Sequence, residues 1–257
     1  MAYRIKTITP ETVTTDLCNK LGDLQGDIWG LSGLDKYPPW ATLIIVMSGN
    51  FLTVAYDGEE PIGLALLQRS QSIETKKPYL YLSMIGVHPD HRNKGIGEAL
   101  MKEVSAVSLK NDFHAIKWTY DPLESANANL YIRKLGARVH KYYVNYYGEL
   151  SGKDRGGETD RFWTELDLNS SSKTNIRAEA VISLSKSAEF DSINAPQSIA
   201  IEIPDNFIEI KSDSPESAEE IRMSTRGIFQ KLFENGYEIK SFYRDGPRNF
   251  YVCAKTK

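Results

Sequence analysis

The chain has 257 residues, 41% hydrophobic and 25% charged, with 31 Lys+Arg against 34 Asp+Glu and a formal net charge of −3. That composition can bury a core, which excludes a disordered chain, and its interspersed charges exclude a binder of nucleic acid or anionic membrane that relies on a net basic face. Two isolated cysteines and four scattered histidines give neither a disulfide framework nor a metal-ligand spacing. No window approaches the roughly 18 apolar residues of a membrane span, and "MAYRIKTITP" lacks the apolar run of a signal peptide. The expectation is a reduced, cytoplasmic protein with no metal, nucleic-acid or membrane partner.

Taken in order, "YRIKTIT" alternates as a strand, and Val13, Leu17, Leu21, Leu24 and Ile28 mark one face of a helix. "PPWATLIIVMSG" has a proline start and a glycine stop, and is apolar enough to predict a buried helix. "FLTVAYDGEEPIGLALLQRS" reads as a hairpin, and "PYLYLSMIGV" as a strand with Tyr79, Tyr81, Ser83, Ile85 and Val87 on one face. Ile96, Leu100, Val104 and Val107 mark the next helix, and "HAIKWTY" the next strand. Asp121, Pro122 and Glu124 form a capping box for a helix ending at Gly136. "ARVHKYYVNYYGEL" and "RFWTELDL" complete a sheet around the loop 151–160.

The polar break 169–175 separates a domain over 1–168 from a smaller α/β half-domain over 176–257. There "SIAIEIPD", "FIEIK", "YEIKSFY" and "NFYVCAK" read as strands around a helix opening at Ser214-Pro215 and ending at Asn235-Gly236.

Chemistry concentrates in "GVHPDHRNKGIGEALMKEV", residues 86–104, where a strand passes through Arg92-Asn93-Lys94-Gly95-Ile96-Gly97 into a helix. A first helical turn has unpaired N–H groups and the positive end of the helix dipole, so it suits a phosphate. Glycines at 95 and 97 allow close approach, and Arg92 and Lys94 add charge. Neither GxxxxGK[ST] nor GxGxxG is present. The bland alternative is an ordinary glycine-containing turn with surface charges.

"VHPDHRNKGIGEALM" resembles the V-x-P-x-x-R-x-x-G-I-G signature of the GNAT superfamily of N-acetyltransferases, and the order of elements over about residues 1–168 is similar to that family's. The resemblance implies an α/β (α+β) GNAT fold with a mixed sheet of six to seven strands flanked by helices. It implies that Asn93, Lys94, Gly95, Ile96, Gly97 and Glu98, beside Arg92, hold the pyrophosphate of coenzyme A. It further implies that Ile85, Gly86 and Val87 line the pantetheine and supply an oxyanion donor, and that the following strand splays away to open the acyl-transfer cleft. Ser125 and Asn127 fall on positions that contact coenzyme A.

Many relatives carry N-x-x-A-x-x-L-Y-x-x-x-G-F, whose tyrosine protonates the leaving thiolate. Aligned on Ala128 and Gly136, this chain has Ser125 for the asparagine and Ile132 for the tyrosine, with Tyr131 one residue early. One residue on an α-helix is about 100°, which predicts that Tyr131 points elsewhere. Tyr81 stands where some relatives have a basic glutamate, and serves either as a proton relay or as packing. Tyr81, Tyr131 and Tyr146 are taken as the catalytic candidates.

The run from Trp118 to Phe162 and the tail "GYEIKSFYRDGPRNFYV" resemble a longer GNAT subgroup, some of it linked to N-acylation, including N-succinylation, of amino acids. That resemblance implies an acceptor pocket beside Tyr142, Tyr143, Asn145, Tyr146 and Tyr147, with Asp160 and Arg161 closing the same region. Arg161 is read either as a carboxylate ligand or as a surface ion pair with Asp160 or Glu158, and the tyrosines equally as a strand edge. The expected activity is transfer of an acetyl or related acyl group from acyl-CoA to a small amine. Peptide or protein N-acetylation and a catalytically weak acyl-CoA-binding module remain open alternatives, as does a homodimer through a sheet edge.

Overall fold

The structure, a computed structural model, describes residues 3–152, 156–170, 176–184 and 196–256. Of the polar break at 169–175, residues 171–175 lie outside the described residues. The chain divides into two compact units. One comprises Met1–Trp118, Leu150–Arg155 and Asp167–Asn169; the other comprises Thr119–Glu149, Gly156–Leu166 and Ser170–Lys257.

In the first unit β1 (Arg4–Ile8), β2 (Phe51–Asp57), β3 (Glu60–Gln71), β4 (Pro78–Val87) and β5 (Ala115–Tyr120) lie side by side in chain order; the last two residues of β5 count with the second unit. Pairing is antiparallel from β1 to β4 and parallel between β4 and β5, a mixed sheet as expected. Helix α1 (Thr15–Trp29) starts where Thr14 Oγ1 accepts the Leu17 N–H at 3.1 Å and stops at Gly30, φ 68°. Leu21, Leu24 and Ile28 of α1 and Val46 of α2 (Pro39–Met47) pack with Leu52, Val54, Leu64, Leu66 and Met84 on one sheet face. Ile96 and Leu100 of α3 (Ile96–Lys110) pack with Ile5, Ala55, Ile62, Ile85 and Val87 on the other.

Two expectations change here. The apolar α2 is not fully buried: Thr42 and Val46 face inward, while Trp40, Ile44 and Met47 are 66%, 55% and 57% exposed. A nine-residue helix resting on one layer buries only the stripe that faces it. The single face assigned to Tyr79 through Val87 is also broken. Leu66 pairs with Met84 and Leu67 with Leu82, so Ser83 is an extra residue in β4, a bulge. Beyond it Met84 turns to the α1 face and Ile85 and Val87 to the α3 face.

In the second unit, β7 (Arg161–Asp167), β6 (Arg138–Tyr143), β10 (Tyr237–Asp245), β11 (Arg248–Lys255), β9 (Ser198–Ile203) and β8 (Ala180–Ile182) lie in that order; the last residue of β7 counts with the first unit. Phe229 of helix α6 (Pro215–Glu234) meets Phe162 at 4.9 Å and Tyr251 at 5.7 Å, both edge-on, in an aromatic core. "FIEIK", expected as a strand, is helical as α5 (Phe207–Asp213), because the Asn206 side chain caps it by accepting the Glu209 N–H. The capping box at Asp121 also does not form. The helix starts at Ser125, with α4 (Ser125–Ala128) running into a π-helical turn over Asn129–Lys134.

Asp121 is instead part of a buried ion cluster. Arg222 Nη2 lies 2.7 Å and Arg161 Nη1 3.8 Å from its carboxylate. Asp160 is fully buried and accepts from Arg226 Nε and Nη2 at 2.9 Å each, and from the Tyr142 hydroxyl; Arg226 also pairs with Glu158. Burial alone would raise the Asp121 pKa, but the charge and hydrogen bonds of Arg222 and the charge of Arg161 hold it below the usual carboxylate value. Removing one partner strands the other charge, so Arg222→Met lowers the unfolding free energy by about 3–5 kcal/mol in urea titration. A depressed folded pKa gives stabilisation that is present above the ordinary carboxylate range and lost as pH falls through the folded value. The stability gap between the native chain and Asp121→Asn therefore closes below about pH 4.

Candidate functional site

The site in the first unit is built on β4. Its ladder with β5 has only two pairs, Leu80–Ile116 and Tyr81–Lys117. Beyond Tyr81, among the described residues, β4 pairs only with β3, so the other edge of Leu82–Val87 has backbone groups to offer a ligand. The side chains of Ser83 through Val87 are half-exposed there.

The strand ends in a folded loop. His88 Nδ1 accepts the Asp90 N–H at 3.2 Å and starts a short turn over Pro89–His91. Arg92 acts as a strap: Nε donates to Val87 O at 3.1 Å and Nη2 to Ile28 O, at the end of α1, at 3.0 Å. Lys94 Nζ donates to Asp90 O at 2.7 Å. Asn93 (φ 61°) and Gly95 (φ 79°) are both left-handed, so two bends close together curl the backbone at the start of α3. Gly95 caps the helix without a side chain, and the first backbone bond of α3 runs from Ala99 N–H to Gly95 O. The amides of Ile96 and Gly97 have no acceptor within the helix and face outward with the dipole. Glu98 sits in the same turn, its carboxylate 3.0 Å from Lys102.

On the α1 face, Gln68 lies opposite Tyr81 in the β3–β4 register and its Nε2 donates to Ser83 Oγ at 2.8 Å and to the Tyr37 hydroxyl at 3.2 Å. Lys117 pairs with Tyr81 across the β4–β5 ladder and its Nζ lies 5.0 Å from the centre of the Tyr79 ring. Gln68, Ser83 and Tyr37 were not singled out as site residues from the sequence; the bulge that brings them together has no signature in an apolar run. Gly86 is where α1 comes closest, since a Cβ there would lie 2.6 Å from the Trp29 ring and 2.7 Å from Ile28 Cγ2.

The other candidates belong to the second unit. Ser125 is buried and donates to Asp205 O at 2.6 Å, and Asn127 Nδ2 donates to Glu124 at 2.5 Å. Tyr131 is buried edge-on to Tyr120 at 5.3 Å; burial, and then the Glu124 charge, push its phenol well above the usual range. The rotation expected for Tyr131 assumed an α-helix, and that assumption fails. Leu135 N–H bonds Leu130 O, Gly136 N–H bonds Ile132 O and Ala137 N–H bonds Tyr131 O, each one residue further back than in an α-helix or its usual glycine end. The π-turn absorbs the extra residue between Tyr131 and Gly136, and Ile132 is buried.

Asn145 (φ 44°) anchors the aromatic turn: its N–H bonds Asp160 Oδ1 at 3.0 Å and its side-chain oxygen accepts the Thr159 N–H at 3.2 Å. Tyr146 and Tyr147 are 43% and 45% exposed with rings 4.9 Å apart, and the Tyr147 hydroxyl lies 2.7 Å from Thr119 Oγ1. Arg161 is buried, not on the surface, with its guanidinium 5.4 Å from the centre of the Tyr147 ring and a bond to Asp160 O at 2.9 Å. Asp160 and Glu158, the partners expected for it, both pair with Arg226. Among the described residues, no three His, Cys, Asp or Glu side chains gather as a metal site would require.

The model of the acetyltransferase (GNAT) family matches residues 17–137. Among solved structures, the NatC complex bound to Gag peptide and CoA is similar at 18% identity and TM-score 0.52, covering 65% of this chain and 99% of that one. The ribosomal-protein-S18-alanine N-acetyltransferase of Escherichia coli is similar at 14% identity and TM-score 0.51, covering 68% and 100%. The yncA structure from Salmonella typhimurium, solved with its cofactor acetyl-CoA, is similar at 15% identity and TM-score 0.52, covering 69% and 100%. No curated protein matches the chain. These likenesses show the mixed α/β GNAT fold, and the family model matches residues 17–137 of it.

The close approach at Gly86 gives a direct check. Gly86→Val forces the end of α1 away from β4 and lowers stability by about 1–3 kcal/mol in urea unfolding. An unchanged midpoint would contradict that packing.

Proposed function

We propose that the protein is an acyl-CoA-dependent N-acyltransferase that binds acetyl-CoA, or another acyl-CoA, along β4 and acylates a primary amine directly in a ternary complex. What supports it most is the pairing of two features, the edge of β4 over Leu82–Gly86 that no described strand covers and, past the loop, the left-handed turn at Asn93 and Gly95 with the outward amides of α3. Residues 1–168 form the acyltransferase domain in this proposal, and 176–257 an added half-domain. Among the described residues, no helix is long and apolar enough to cross a membrane.

The amine nitrogen attacks the thioester carbonyl carbon, the C–N bond forms as the C–S bond breaks, the ammonium proton leaves to a base and the thiolate takes up a proton. Backbone N–H groups of β4 stabilise the oxyanion. Ile85, Gly86 and Val87 accompany the pantetheine, and Arg92, Asn93, Lys94, Gly95, Ile96, Gly97 and Glu98 the pyrophosphate. Arg92 contributes chiefly by holding the loop to α1, since two of its nitrogens bond backbone carbonyls. Ser125 and Asn127 are assigned to coenzyme A, and Asn145, Tyr147 and Arg161 to the acceptor.

Tyr81, Tyr131 and Tyr146 are separated by their phenylalanine variants. The one that donates or relays the proton loses on the order of 10²-fold in kcat with little change in KM for acyl-CoA. Gly97→Trp covers the helix amides and weakens acyl-CoA binding at least about tenfold in calorimetry, with the fold retained. Undiminished binding by that variant would overturn the assignment of the loop. Free-CoA release across a panel of amines, with acetyl-CoA and succinyl-CoA as donors, identifies the acyl group. Micromolar CoA binding without turnover of any amine would instead establish a binding module.

A further inference from the structure

The polar side chains gathered at the β4 bulge are arranged to present donors. The Gln68 amide nitrogen places one hydrogen on Ser83 Oγ and the other on the Tyr37 hydroxyl oxygen. Each hydroxyl is thereby an acceptor in its bond to Gln68 and keeps its own hydrogen to donate. Among the described residues neither hydroxyl gives that hydrogen to a protein acceptor. Tyr37 is held in place from behind. Gln25, almost wholly buried, accepts the Tyr37 N–H at 2.8 Å and donates to Tyr37 O at 3.3 Å and to Leu21 O at 3.2 Å. Ser83 is equally fixed, because the bulge directs its side chain to Gln68 just where β4 loses β5 as a neighbour.

Two oriented O–H donors flanking one nitrogen call for an oxygen acceptor in the ligand. We infer that Tyr37 and Ser83 bind the carbonyl or carboxylate oxygen of an acceptor in which that oxygen lies next to the amine. The acceptor class is therefore an α-amino acid or the α-amino end of a peptide, in preference to a simple alkylamine. This inference rests on acyl-CoA lying along β4, as proposed above, which puts the reacting carbonyl near Ser83. Gln68 is a positioning residue: it sets which way the two hydroxyls point.

The test uses the full chain with acetyl-CoA and matched acceptors: an L-amino acid, its amide, a dipeptide with the same first residue, and the amine that lacks the carbonyl carbon. The acceptors that keep the carbonyl exceed the decarboxylated amine by at least about tenfold in kcat/KM. Preference for the free acid over the amide and dipeptide identifies a small-molecule acceptor, and the reverse a peptide. Tyr37→Phe and Ser83→Ala each raise KM for carbonyl-bearing acceptors about two- to tenfold, with no shift for the decarboxylated amine. Gln68→Glu, equal in size but without N–H groups, pulls both hydroxyl hydrogens inward and matches the two losses combined. Acyl-CoA affinity, measured on every variant, checks folding and the donor site. Equal activity across the acceptor set, equal KM shifts for all acceptors, or acyl-CoA binding with no acceptor turned over would overturn the acceptor assignment while the donor site stands. Absence of acyl-CoA binding by the native chain would overturn the proposed function and this assignment with it.

Discussion

One extra residue in β4 sets the arrangement of the first unit. Ser83 has no partner of its own in the register with β3, so the strand slips by one and its faces exchange. Before the slip, Tyr81 lies opposite Gln68; after it, Met84 packs with α1 while Ile85 and Val87 pack with α3. The β5 ladder ends beside the same point. Local strand geometry thus places polar side chains, an apolar anchor to each helix layer and an unpaired strand edge within a few residues of one another.

The far end of β4 is fixed by backbone carbonyls more than by side chains. Arg92 joins the strand end to α1, and His88 and Lys94 bond backbone groups within the loop. The loop shape therefore does not depend on an anion being present. The charge of Arg92 and Lys94 is superimposed on that frame, which is why a glycine-poor start (His88 to Lys94) can still present helix amides at α3. The second unit uses a different device. Asp121, Asp160 and Glu158 are matched there by Arg161, Arg222 and Arg226, and burial makes Asp121 and Asp160 depend on their arginine partners. The Asn145 turn, and with it the Tyr146 and Tyr147 rings, is tied to this cluster through Asp160.

Much of this was legible in the sequence, because it follows from local pattern. The strand–loop–helix over 86–104 reads directly from its apolar flanks, its glycines and the missing cap side chain at Gly95. Three features were not legible, each for a physical reason. The bulge at Ser83 is a relation between two strands, and an apolar run such as "YLYLSMIGV" has no mark of where its partner slips. The "FIEIK" segment alternates from Ile208 onward, yet a single Asn206 side chain and tertiary burial of Phe207 outweigh that alternation. The π-turn after Asn129 adds one residue to a helix whose composition is ordinary, so counting back from Gly136 misplaces Tyr131. The buried Arg161 shows the same limit from another side. Its charge was visible, but its surroundings come from Asp121 and Tyr147, far away in the chain.

The most direct measurement is backbone amide hydrogen exchange of the full chain with and without coenzyme A. We expect slowed exchange in two separated stretches of the first unit, Leu82–Val87 and residues 93–98, while β1 and β2 stay unchanged. Coenzyme A binding that leaves both stretches as exchangeable as before would contradict the assignment of β4 and its loop as the acyl-CoA site.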